Sequence, residues 1–279
     1  LGRLEAISSL LAEKPAALYG QYTFGMDLIN LPPSFVYPVT MSLIPFAAAA
    51  MARKDSAGAN RIISSAFRLI AILAIPAGVG LSVLSKPILM MLYPAQKEAA
   101  MAAGPHLQVL GIACIFICLM TLTNAILQSY GHERIPICTM IAGGVVKIVL
   151  NYNLTAVPDI NIHGAPIGTL VCFSLTAILN LIAVSRVASF RLNYPGYFLR
   201  PLLASLVMAL SARGVYALCA HFLLTEESGR MMMLLCVGAA IAVAVIVYAA
   251  LVLALRIVTR DDLALLPKGE KLARILRVR

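Results

Sequence analysis

Three cationic side chains stand where cations are costly. Lys147 lies near the centre of an apolar stretch from Pro136 to Val157, and Arg213 is central in another such stretch. Arg68 follows Arg61 by seven residues at the edge of a third. A charge in the middle of a bilayer helix is rare and by default marks a ligand site or a pathway. Read as helix, the stretch around Lys147 leaves it roughly 15 Å from either end. Its side chain covers only about half that distance, so it cannot snorkel to a headgroup. Asn151 and Thr155 follow at i+4 and i+8 and extend a polar stripe. Gly143 and Gly144, one turn earlier, admit a neighbouring helix or a bulky ligand. An ammonium in such a stripe suits a phosphate or a sugar in a central cavity. The alternative is a structural lysine bonded to the backbone carbonyls of a broken helix.

Two further stripes share this character: Thr121, Asn124 and Gln128, and then Thr169, Thr176 and Asn180. Each residue taken singly reads as interhelical hydrogen-bond glue, but three stripes on three helices support a shared polar interior. The Arg213 guanidinium suits either a bidentate grip on a pyrophosphate or a pairing with a carboxylate elsewhere. Arg68 reaches the interface by snorkelling, and His163 and His221 sit at span ends as interfacial anchors. The six cysteines all fall inside apolar runs with no CxxC or Cys/His spacing, so neither a metal nor a cofactor is expected. HExxH, GxSxG, P-loop and GxGxxG patterns are absent and no acid falls in mid-span, which argues against an enzyme. The energy for any transport must then come from an ion gradient or a partner.

The elements that position these groups follow from composition. The 279 residues are 61% hydrophobic and 12% charged, with mean hydropathy +0.92; a soluble domain carries about twice that charge. The chain reads as an all-α, polytopic membrane helix bundle. A span needs about 20 residues, and seven stretches qualify: roughly 27–52, 62–84, 105–129, 136–157, 163–186, 201–223 and 231–255. The first carries Pro32, Pro33, Pro38 and Pro45. Its broken backbone bonds predict a kinked helix that faces protein or a wet cavity rather than lipid.

Net charge is +10, spread over short gaps rather than on one face, which excludes a nucleic-acid partner. Alternate gaps and the tail hold 14 basic residues, against five on the other side. The positive-inside rule therefore predicts a cytoplasmic C-terminus and residue 1 outside, so an odd number of spans is expected upstream. The stretch 85–104 reads as an outer interfacial segment. The tail from Asp261 to Arg279 alternates Leu266, Leu272 and Ile275 with Lys268, Lys271 and Arg274, an amphipathic pattern for an anionic inner leaflet.

Several short motifs carry a resemblance. They include Ala17-Leu-Tyr-Gly20, Leu31-Pro32-x-x-Phe35, Ser42-Leu-Ile-Pro45 and Lys86-Pro-Ile88. Further on stand Ile126-Leu-Gln-Ser-Tyr-Gly131, Gly144-x-x-Lys147-x-x-x-Asn151, His163-Gly-Ala-Pro-Ile-Gly-Thr169 and Leu266-Pro-Lys-Gly-x-Lys271. In this order and spacing, the whole chain resembles the C-terminal half of polysaccharide-export flippases of the stage V sporulation protein B group. That group belongs to a superfamily shared with lipid II flippases and multidrug and toxic-compound extrusion transporters. The resemblance implies a fourteen-helix, two-lobe parent in the cell membrane, of which these spans are the eighth to the fourteenth.

The division it implies is an external pre-span segment at 1–26 and a C-terminal lobe of five spans at 27–187. Two added spans at 188–256 and the basic cytoplasmic tail at 257–279 complete it. The implied activity is alternating-access translocation of undecaprenyl-pyrophosphate-linked sugar, with the missing N-terminal lobe as partner. Lys147, Asn151, Asn124, Gln128, Arg213 and Arg68 are then the candidate cavity residues. Where some lipid II flippases resemble sodium binders through Asn and Asp on this helix, a lysine stands here, and its ammonium would replace the ion. A cation-coupled drug exporter of the same fold and a non-transporting membrane scaffold are the competing readings.

Overall fold

The computed structural model describes Glu5 and residues 14–157, 159–188, 193–223 and 230–257. The expected amphipathic tail at 261–279, with Arg191, Glu226 and Glu227, lies outside them. Among the described residues nine helices of eight or more residues run in order: α1 Pro15–Ile29, α2 Leu31–Ala52, α3 Ser56–Val83, α4 Ser85–Leu92, α5 Lys97–Ser129, α6 Arg134–Leu154, α7 Gly164–Val187, α8 Tyr194–Leu223 and α9 Arg230–Ala254. Short 3-10 turns at Pro94–Gln96 and Asn161–His163 precede α5 and α7. With α1 and α2 taken together, seven stretches among the described residues are long and apolar enough to cross a membrane. The seven expected spans are therefore present.

α5 is the hub. α1, α2, α3, α4 and α7 all pack on it, α6 packs almost entirely on α7, and α8 and α9 attach through α3. The most apolar window of α5 is 67% buried, against 11% for α6. Lipid tails are as apolar as leucine, so helices associate here through close packing and polar bonds rather than by exclusion from water. α3 and α5 approach through Gly78 and Gly111: a methyl group added at Gly111 would stand 2.8 Å from the Gly78 carbonyl oxygen and 2.7 Å from the Ser82 nitrogen.

The prolines explain the most irregular part of the chain. Pro33 has no N–H for the Ile29 carbonyl one turn back, and the chain breaks there at Asn30 between α1 and α2. The freed carbonyl receives the Cys114 thiol of α5 at 3.4 Å, and the Asn30 N–H closes on the Leu28 carbonyl. Pro76 in α3 likewise frees the Ile72 carbonyl, and the Tyr248 hydroxyl of α9 donates to it at 2.9 Å. The expected break is present at Asn30 and its Ile29 carbonyl faces protein, but α2 beyond it leaves Phe35, Tyr37 and Phe46 exposed rather than turned to the bundle.

Several helices start before their expected onsets, α3 at Ser56 rather than 62 and α8 at Tyr194 rather than 201 among them, and two have a clear cause. Helix starts at Pro15, inside the segment expected as a pre-span stretch, because nothing in 16–28 breaks a helix and Leu18, Tyr22 and Leu28 bury against the bundle. α5 starts eight residues before its expected onset at 105, since Ala99, Ala100, Ala102 and Ala103 favour helix although a hydropathy window penalises Lys97 and Glu98. Replacing Tyr248 by Phe should cost about 1–2 kcal/mol, the worth of one interhelical bond whose loss leaves a carbonyl unpaired. Thermal unfolding of the full-length protein, followed by a thiol-reactive dye that reports the buried Cys114, Cys172 and Cys236, should show a lower midpoint for Y248F. The exposed-site variant Y37F should match the wild type; a Y248F midpoint equal to it would mean that another donor serves Ile72.

Candidate functional site

Lys147 and Asn151 share one ridge of α6 with Pro136, Thr139 and Gly143, and this ridge meets α7. Gly143 lies against Cys172 and Thr176, and Gly168 lies against the Asn151 side chain, so glycines on both helices let the backbones close. Lys147 is half-buried in this seam. Its Nζ stands 6.0 Å from the centre of the Phe173 ring, the outer limit of a cation–π contact. The Oδ1 of Asn151 is buried without a hydrogen-bond partner. This acceptor is sealed against Gly168 one turn from the ammonium, so a ligand reaches it only if the α6–α7 seam loosens.

The helix places Lys147 differently from the sequence expectation. α6 ends at Leu154, since the approach to Pro158 disfavours helix. The lysine is thus seven residues from the C-terminal end, about 10 Å, and not at the midpoint. Thr155 lies past the helix end and donates its hydroxyl to the Asn151 carbonyl, so it caps α6 rather than extending the stripe.

The other stripes converge on one polar staple. Asn180 of α7 accepts from Thr139 Oγ1 of α6 at 2.7 Å, and its amide donates to Asn124 Oδ1 of α5 at 2.7 Å and to Thr123 Oγ1 at 3.3 Å. Thr176 donates to the Cys172 carbonyl at 2.9 Å, in its own helix, with the Thr139 carbonyl further off at 3.4 Å. Thr169 meets the Tyr22 hydroxyl of α1 at 3.0 Å. Asn124 is therefore occupied in joining three helices, and Thr139, absent from the expected stripes, is a member. Its position in the 139–143–147–151 ridge was the signal that could have found it.

The remaining candidates are apart. Gln128 is exposed at the end of α5. The Arg68 guanidinium donates to Ser65 Oγ at 3.0 Å and stands 5.9 Å from the Tyr197 ring, whose hydroxyl donates to Ser64 at 2.9 Å. Arg68 thus belongs to the α3–α8 clasp, where Phe67 also packs on Tyr194 and Tyr197. Arg213 is exposed on α8, along the same outer face as Leu206, Leu210 and Leu218. Of the six, only Lys147 and Asn151 form a pair.

Two cavities complete the picture. An apolar cleft of about 510 Å³ is lined by the α1–α2 elbow (Leu28, Leu31), Pro76 of α3, Met208 and Ala212 of α8, and Tyr248 of α9. A smaller one, about 410 Å³, lies among Met51, Lys54, Tyr130 and His132; burial raises the Tyr130 phenol above its ordinary pKa and keeps it a neutral donor. Substituting Asn180 by Leu should leave Thr139 and Asn124 short of a partner and cost about 1–3 kcal/mol. In the same dye-reported unfolding experiment N180L should melt below N180Q, and equal melting would show that the staple contributes nothing.

A family model, "Lipid II flippase MurJ", matches residues 6–238. The "Uncharacterized membrane protein YabM" of Bacillus subtilis (strain 168) is 29% identical over 268 residues, 96% of this chain and 48% of its own length. The "Lipid II flippase MurJ" of the same organism is 26% identical over 188 residues, 67% of this chain and 34% of its own length. The chain thus spans half or less of these curated relatives. An inward-facing multidrug resistance transporter of the MATE family, in the MOP superfamily, superposes with a TM-score of 0.51 at 17% identity, covering 86% of this chain and 56% of that one, which shows a shared fold. With the family model covering most of its length, this chain belongs to the lipid II flippase MurJ family.

Proposed function

We propose that this chain is the C-terminal portion of a cell-membrane flippase that carries a sugar linked to undecaprenyl pyrophosphate across the bilayer by alternating access. Its C-terminus is cytoplasmic in this reading, on the side of the basic gaps. Residues up to 187 form most of one lobe and α8 and α9 are additions to it. A further lobe, outside this sequence, closes the cavity.

The observation that carries the reading is the Lys147–Asn151 pair. A half-buried ammonium without a carboxylate partner among the described residues, one turn from a buried amide oxygen that has no partner, suits an anionic headgroup. α6 supports it: its flank of Ile137, Ile141, Val145, Ile148 and Tyr152 is exposed, as a helix awaiting a second lobe would be. The apolar cleft between α3, α8 and α9 suits the polyprenyl tail of the same substrate. A drug exporter taking cations would want an acid in its site; Asp27 lies within the Pro15–Ala52 stretch, exposed, whereas α6 and α7, which hold Lys147, carry no acid.

A charge-assisted bond is worth about 1.5–3 kcal/mol. In the full-length protein, K147M should therefore cut translocation of lipid-linked sugar roughly ten-fold to a hundred-fold. K147R should keep most of it. Flippase activity in reconstituted vesicles, read by accessibility of the headgroup to an external enzyme, measures this; unchanged flipping by K147M removes Lys147 from the site. Efflux of cationic dyes by the wild type would favour the exporter, and wild-type protein that binds a cell-wall synthase yet moves nothing would favour the scaffold.

A further inference from the structure

His106 is an anomaly in the seam between α1, α5 and the Asn161–His163 turn. It is 1% exposed, and neither ring nitrogen makes a hydrogen bond of good geometry, although the Gln21 backbone lies within hydrogen-bonding reach. Buried polar groups in native proteins are almost always paired, and an exception points to an unseen ligand or a functional role. Its ring centre stands 4.6 Å from that of His163, the planes tilted by 53°. His163 itself is exposed, so one imidazole touches solvent and the next is sealed behind it.

The surroundings narrow the ligand. α1 contributes the Gln21 backbone, a strained hydrogen-bond partner of His106, and Tyr22, whose hydroxyl meets Thr169. α4 contributes Lys86, whose stem lies over Gly104 of α5. The turn before α7 contributes His163. No carboxylate among the described residues is buried, and no cluster of three metal-ligating side chains exists among them. A metal ion needs more ligands and a space of its own. A proton needs neither, and imidazole is the side chain that binds one near neutral pH.

We propose that His106 is a proton-binding site, loaded from solvent through His163, and that its protonation parts α1 from α5 and α7. The proton passes from hydronium to a nitrogen of His163 and on to a nitrogen of His106; no other bond changes, and the site gains one positive charge. That one charge, in a seam where no described carboxylate is buried, is costly to keep dry. Hydrating it requires α1 to lift, because α1 forms the wall there and its Gly25 lies against the Leu107 backbone of α5.

Each opening then takes up one proton. The opening equilibrium rises by up to about ten-fold per pH unit below the ordinary imidazole value of about 6.5. This deepens the transport reading by naming what regulates the lobe, and places the proton's entry on the side of Lys86 and Asp159, outer in that reading. The test needs no transport, so a failure of the flippase assays leaves it standing or falling by itself.

Hydrogen–deuterium exchange of the full-length protein in nanodiscs, corrected for the intrinsic pH dependence of amide exchange, should show helix Pro15–Ile29 opening roughly ten-fold more at pH 5.5 than at pH 7.5. H106Q, which fills the same space without titrating, should abolish the difference. A flat wild-type response, or an H106Q response equal to the wild type, overturns the proposal and leaves a buried water as the occupant. If H106Q does not fold, H163Q at the exposed position decides: with the relay removed, opening after a jump to pH 5.5 must develop more slowly than in the wild type, and an unchanged rate overturns the proposal.

Discussion

A backbone carbonyl without a donor is the constraint from which the architecture follows. In hydrocarbon no water can supply one, so each proline inside a span creates a debt that another part of the protein must meet. The Ile29 carbonyl, freed by Pro33, is met by Cys114, and the Ile72 carbonyl, freed by Pro76, is met by Tyr248. These two contacts tie α1 to the hub and α9 to α3. The prolines therefore set the order of packing as well as the kink: a helix that breaks must lie where a donor from a different helix can reach it. Tyr248 also lines the apolar cleft, so the residue that repairs α3 shapes the space where a lipid tail is proposed to lie.

Polar residues within the spans divide into two kinds on the same grounds. Asn180 spends its amide on Thr139, Asn124 and Thr123 and has nothing left for a ligand. Lys147 and Asn151 sit four and eight residues past Gly143 on the same ridge, where α6 has α7 on one side and nothing described on the other. Satisfied groups hold helices together, whereas an unsatisfied acceptor next to a lone charge costs stability unless something binds there. The expectation of one continuous polar interior is thus replaced by a staple and a separate pair.

Class and span number were legible because they rest on long apolar runs with a strong signal. The kink was legible because proline acts through its own backbone. Lys147 was found by type alone, but its depth was misjudged: the helix end at Leu154 depends on a turn that apolar Val157 disguised. Arg68 and Arg213 could not be sorted from the sequence, since whether a mid-span arginine meets Tyr197 or faces outward depends on helix rotation, which hydropathy does not report. His106 was invisible for the same reason. One histidine near the start of a span carries no pattern, and its meaning comes from His163, 57 residues away.

The elbow at Asn30 joins these parts. Upstream of it, α1 rests on α5 through Gly25 and borders the buried imidazole; at it, Leu28 and Leu31 line the apolar cleft; just before it, Ile29 is held by one sulfur bond. A thiol is a weak donor, so the break is satisfied without being locked. An absent donor would leave a bare carbonyl in the span, and because Pro33 has no N–H, no donor from α5 can rejoin α1 and α2 as one helix.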